Sequence, residues 1–71
     1  MAAEFIKLDQ FLKVTDTVQS GGQAKVLIRS GEVSVNGEME LRRGRKLYDR
    51  DVVTVDDVSF TVEIAPTDDA H

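Results

Sequence analysis

At Gly31 the spacing of apolar side chains changes from a helical period to a strand period, and this switch within 71 residues restricts the chain to a small α+β fold. Before the switch, Leu8, Phe11 and Leu12 stand at i, i+3 and i+4, and Ala24, Leu27 and Ile28 repeat the same stripe. After it, Val33 and Val35 alternate with Ser34, Asn36-Gly37 intervenes, and Met39 and Leu41 alternate with Glu38 and Glu40. Two short helices followed by hairpins are the expectation.

Local signals sharpen this outline. A first helix starting near Asp9 turns Leu8, Phe11 and Leu12 inward and Gln10 and Lys13 outward. Ser20-Gly21-Gly22-Gln23 has capping-box spacing, in which the serine hydroxyl and the glutamine side chain each satisfy a free backbone amide at a helix start. Gly31 falls where that second helix needs a left-handed cap, and Thr15 to Gln19 links the two helices. Asn36-Gly37 predicts a type I′ hairpin turn, because both central positions need positive φ. A second strand pair runs over Val52 to Val55 and Val58 to Ile64, with Asp56-Asp57 as its turn and Val58, Phe60, Val62 and Ile64 on one face. Glu4 to Lys7 adds a further strand, and Phe5, Phe11 and Phe60 are assigned to the core. With no internal repeat or linker, one domain is expected over 1–65, followed by a flexible acidic tail over 66–71.

Several chemistries drop out on residue type. There is no cysteine, and the one histidine, His71, is terminal, so no His-based triad, thiol nucleophile or multi-histidine metal cluster is expected. Phosphate loops of the Gly-x-x-x-x-Gly-Lys or Gly-x-Gly-x-x-Gly type are absent, and neither Asp56-Asp57 nor Asp68-Asp69 has calcium-loop spacing. The expectation is a non-enzymatic protein with no cofactor and no metal. Nothing resembles a signal peptide or a bilayer-spanning stretch, so a soluble, cytoplasmic monomer without a membrane partner is expected. Tryptophan is absent and Tyr48 is the single tyrosine, so no base-stacking platform is expected either.

The net charge of −4 hides a division along the chain. All nine basic residues fall in positions 1–50 with seven acids, leaving that part at +2, whereas positions 51–71 carry six acids and no base. Contact with phosphate is local, within a screening length of roughly 8 Å at physiological salt, so a basic face can operate on an acidic protein. The densest cluster is Arg42-Arg43-Gly44-Arg45-Lys46, expected in a loop where its glycine allows close backbone approach and its guanidinium groups fork onto phosphate oxygens. Its ordinary alternative is a solvated turn that balances nearby acids. On the second helix Lys25 and Arg29 form an exposed ridge four residues apart. Gly21 and Gly22 leave amides uncovered at that helix's positive end, which suits either a phosphate site or a simple flexible cap.

Taken in order, Lys7-Leu8-Asp9-x-x-Leu12, Ser20-x-x-x-Ala24-Lys25-x-Leu27-Ile28-x-x-Gly31-x-Val33-x-Val35-Asn36-Gly37 and Asp51-Val52-Val53 resemble the alpha-L RNA-binding motif. This is the S-four domain, named after the fourth protein of the small ribosomal subunit, and the match spans roughly residues 7–55. The Ser-Gly-Gly-Gln-Ala-Lys stretch and the arginine loop are similar to those of small stand-alone bacterial members. The resemblance implies two helices on a small, mainly antiparallel sheet of four to five strands. It also implies recognition of structured RNA, ribosomal RNA or an assembly intermediate first of all, through phosphate and shape contacts. Carried over by position, the RNA face comprises Lys7, Gln10, Lys13, Ser20, Gly21, Gly22, Gln23, Lys25, Arg29 and Asn36, extended by Arg42, Arg43, Arg45 and Lys46. One departure is Gly21, where many members have arginine. Two other classes stay in view: a protein-interaction adaptor using a sheet edge and the acidic C-terminal segment, and a ubiquitin-like sulfur carrier, which lacks its Gly-Gly terminus here.

Overall fold

The structure is a computed structural model that describes residues 4–64; the tail expected over 66–71 lies outside the described residues. Its elements in chain order are β1 (Ile6–Lys7), α1 (Leu8–Val14), α2 (Gly21–Arg29), β2 (Val33–Val35), β3 (Glu38–Met39), β4 (Lys46–Leu47), β5 (Val52–Val55) and β6 (Val58–Thr61). Four strands form an antiparallel sheet in the order β3-β2-β5-β6, and β1 pairs with β4 as a separate antiparallel ribbon. The α+β class and the two packed helices agree with the sequence reading. The expected strand at Glu4 to Lys7 exists over its last two residues as β1, and its partner β4 begins at Lys46, the last residue of the run read as loop.

The helical stripes enter the core as their spacing requires. Leu8, Phe11 and Leu12 from α1 and Ala24 and Ile28 from α2 meet Val33, Val35, Val53 and Val55 of the sheet, with Leu47 and Val62 completing the cluster. Val18, from the link between the helices, is buried there too. Phe11 meets Phe60 edge to face with centroids 6.3 Å apart. Phe5 does not join them; it lies at the surface beside Tyr48.

Both ends of α2 are closed by side chain or glycine. Ser20 Oγ accepts the Gln23 amide at 3.2 Å, and Gln23 Oε1 accepts the Gln19 amide at 2.7 Å, one residue earlier than a standard capping box. Gly31 takes φ of 88° and donates its N–H to the Ile28 carbonyl. In the first hairpin Asn36 and Gly37 have φ of 54° and 87°, as a type I′ turn demands.

That two-residue turn also sets which side chains face inward, and it runs against the hydropathy of Met39 and Leu41. Val35 pairs with Glu38 and Ser34 with Met39, so Glu40 falls opposite buried Val33 and is itself buried, while Met39 and Leu41 are exposed. In the second hairpin the strand ends at Thr61, and Val58 at its start is exposed, although Val62 remains in the core. Val62 is held by its carbonyl accepting the Arg50 amide at 2.7 Å and its own amide donating to the Asp51 carbonyl at 2.8 Å.

A Cβ at position 31 would sit 3.2 Å from Met39 Sδ on a backbone that L-residues avoid. Gly31→Ala is therefore expected to lower stability by about 1–2 kcal/mol in a denaturant melt, with an unchanged melt refuting the role of the cap.

Candidate nucleic-acid interface

Helix α1 begins without a side-chain cap: Lys7 at its N-cap position makes no such bond. Its first two amides are satisfied from a distance, Leu8 donating to the Arg45 carbonyl at 2.9 Å and Asp9 to the Arg43 carbonyl at 3.1 Å. The basic loop is thereby docked on the helix, and its own turn is closed by the Arg45 amide on the Arg42 carbonyl at 3.2 Å. Asp9 lies in this first turn, where the helix dipole favours an acid, and its Oδ1 is shielded from solvent without a hydrogen-bond partner.

Beneath the loop, the buried carboxylate of Glu40 supplies the countercharge. Its Oε2 accepts from Arg42 Nε at 2.9 Å and from the Arg42 amide at 3.0 Å, and its Oε1 accepts from Arg45 Nη1 at 2.7 Å. The Arg42 hydrogen bond, aided by Arg45, outweighs the cost of burial and holds the Glu40 carboxyl down to about 2. In return Glu40 raises the already high value of Arg42. Arg42 remains solvent-facing, with 78% of its side chain exposed, while Arg45 is at 30%. Both arginines are thus held in place and not free to be reversed, since either loss strands a buried carboxylate.

Three of the other bases meet from distant parts of the chain. Lys25 and Arg29 of α2 line one hollow of about 330 Å³ together with Arg43 of the loop, over a floor of Ile28 and Leu41. Arg42, Gly44, Arg45 and Lys46 line a second, of about 480 Å³. Lys7 stands directly opposite Lys46 in the ribbon, both exposed, an arrangement of like charges that weakens a strand pair unless an anion lies between or beside them. Lys25, Arg29 and Arg43 form no ion pair among the described residues, so their charge is available to a ligand.

Other residues carried over from the motif play different parts. Asn36 is committed to the fold: its Oδ1 accepts the Val52 amide at 2.9 Å and its Nδ2 donates to Asp51 at 3.2 Å, which ties the first hairpin to β5. Ser20 and Gln23 are caps, and with Gly22 they border a third, largely apolar hollow lined also by Val26, Leu27, Ser30 and Glu32, apart from the bases. Gly21 and Gly22 have room for a Cβ and lie outside the positive-φ region, so neither packing nor backbone strain demands glycine there. Gln10 and Lys13 are exposed on α1 but line neither basic hollow. Sequence reasoning missed Glu40, Leu41 and the surface position of Phe5; the two-residue turn contained the signal for the first two.

Among the described residues no helix is long and apolar enough to cross a membrane, and no group of three or more His, Cys, Asp or Glu is placed to hold a metal ion. The fold is an α+β module with two basic hollows, one lined from α2 and the loop and the other from the loop and β4. The S4 domain model matches residues 1–63, and the chain belongs to the S4 domain family. It is similar to the probable ribosome maturation protein RlbA of Bacillus subtilis (strain 168), with 55% identity over 53 residues that make up 75% of each chain. It also resembles the crystal structure of a pseudouridylate synthase, with a TM-score of 0.71 and 25% identity over 79% of this chain. The chain spans 24% of that longer protein.

The depressed Glu40 carboxyl contributes stability that is complete above the ordinary value of 4.5 and is lost as pH falls from there towards about 2. Discounted for the exposure of Arg42, that contribution is about 1–2 kcal/mol. Acid titration of the melting free energy is expected to show it, and Glu40→Gln is expected to be less stable at neutral pH with a flatter profile across that window. Identical profiles for the two proteins would refute the pairing.

Proposed function

We propose that this chain is a non-catalytic binding module for structured RNA, ribosomal RNA or an assembly intermediate, acting as a monomer in the bacterial cytoplasm. One observation carries the reading: Lys25 and Arg29 from α2 and Arg43 from a loop well removed in sequence line the same hollow, on a chain whose net charge is −4. A scattered, charge-balancing distribution of bases gives no such meeting point. Support comes also from membership of the S4 domain family and from the name of the Bacillus subtilis relative, a probable ribosome maturation protein.

Recognition on this reading is by backbone and shape. The deep major groove of A-form RNA does not admit side chains to the base edges, whereas phosphates on its rim match a row of lysine and arginine spaced along a helix and a loop. The RNA-contacting set is Lys25, Arg29 and Arg43 at the centre, with Arg42, Arg45, Lys46 and Lys7 on the ribbon side. Gln10, Lys13 and the α2 entry at Ser20, Gly21, Gly22 and Gln23 form its periphery, where the bare amides of the two glycines take the place of the arginine side chain common in the family. Asn36 acts indirectly, by holding the hairpin.

Affinity of the purified chain for bulk ribosomal RNA is expected to fall linearly in log against log salt. Lys25→Glu, Arg29→Glu and Arg43→Glu are each expected to weaken it several-fold, and each reversal to reduce the salt slope by about one. None of the three touches Glu40, so the melt is expected to be unchanged. An unaltered dissociation constant for the triple variant refutes the site. Partners recovered from lysate that persist after ribonuclease treatment favour the adaptor reading instead.

A further inference from the structure

The ribbon of β1 and β4 has an outer face that the basic hollows do not account for. Ile6 and Leu47 pair with each other and turn inward, Leu47 fully buried, so alternation sends their neighbours Phe5, Lys7, Lys46 and Tyr48 to the opposite side, where all four are exposed. Phe5 and Tyr48 are 43% and 41% exposed, with ring centroids 6.1 Å apart and planes inclined at 57°. Lys46 Nζ lies 4.9 Å from the Phe5 ring centroid, and the same lysine borders the hollow of Arg42 and Arg45. Aromatic rings exposed beside a pair of lysines, on an edge continuous with an arginine loop, present a π-face and phosphate contacts within one nucleotide's reach of each other.

We propose that this face, Phe5 with Tyr48 beside the cross-strand pair Lys7 and Lys46, stacks one unpaired base of the bound RNA, the two lysines together holding the phosphate next to it. The proposal rests on the RNA reading above and adds to it a requirement on the ligand: a bulge, loop or strand end beside the helical segment. A base inside an A-form helix is already stacked and has no face to offer, whereas an unpaired one does. The charge of the ribbon favours this occupant over an apolar peptide, since Lys7 and Lys46 stand opposite each other and gain from an anion. A purely structural role, with Phe5 and Tyr48 pairing only to steady the ribbon, makes a different forecast.

The test uses the full chain and two RNA hairpins that differ only in one unpaired 2-aminopurine nucleotide, present in one and deleted from the other. Wild-type protein is expected to bind the bulged hairpin about tenfold more tightly and to change the 2-aminopurine fluorescence on binding. Phe5→Leu and Tyr48→Leu are expected to remove the preference and the fluorescence change while leaving affinity for the fully paired hairpin as it was, which also certifies their folding. Tyr48→Phe is expected to keep both. Equal wild-type affinity for the two hairpins, or a preference that survives both leucine variants, overturns the stacking proposal alone. Failure to bind either hairpin or ribosomal RNA overturns the RNA reading beneath it.

Discussion

The first turn of α1 has amides with no cap of its own, and the carbonyl oxygens of Arg43 and Arg45 fill that role. Helix amides buried without acceptors are costly, so the loop is drawn to the helix by its main chain whatever its side chains do. The result is an electrostatic conflict, because arginine side chains are brought to the positive end of a helix. Two acids relieve it. Asp9 stands in the first turn itself, and Glu40 sits beneath the loop with Arg42 and Arg45 hydrogen-bonded to its two oxygens. The basic charge of the two hollows that remains after this internal neutralisation is that of Lys25, Arg29, Arg43 and Lys46, with the outer part of Arg42.

The acidity of the chain looks, as composition, like an obstacle to binding RNA, yet two carboxylates at the start of its acidic segment have structural partners. Asp51 accepts the Tyr48 amide through one oxygen and the Asn36 side chain through the other, and Asp49 accepts the Ile64 amide. These bonds organise the turn between β4 and β5 and seat Ile64 next to it. Net charge therefore describes this protein poorly, since part of its acidity is spent on main-chain amides and part on arginines already bound.

Much of the fold is legible in the residues because its signals are local. The stripes Leu8, Phe11, Leu12 and Ala24, Leu27, Ile28, the Ser20 cap, the Gly31 terminus and the Asn36-Gly37 turn each depend on neighbours within a turn of chain, and each stands as read. At residues 39 to 41 hydropathy and turn geometry disagree, and the turn decides. A two-residue turn pairs Val35 with residue 38 and so directs residue 40, not 39 or 41, toward the core. Hydropathy alone disfavours that register, because the inward residue is a glutamate whose arginine partners lie later in the chain. The basic bases of the site were visible as types, but their grouping was not: Lys25, Arg29 and Arg43 share a hollow only because a loop carbonyl meets a helix amide elsewhere. Phe5 was misplaced for a related reason, since its face is decided by a strand partner, Leu47's neighbour, across most of the molecule.

That distant pairing of β1 with β4 encloses both helices and the first hairpin between its two strands. The charged surface consequently has no existence in a partly folded chain: until the N-terminal strand closes on the segment after the arginines, the bases are a string of charges without geometry. A ligand that needs the finished surface draws its affinity from the closed state only, so its presence shifts the folding equilibrium of so small a core toward closure by mass action. In such a module the partner acts as the last piece of the fold as well as its target.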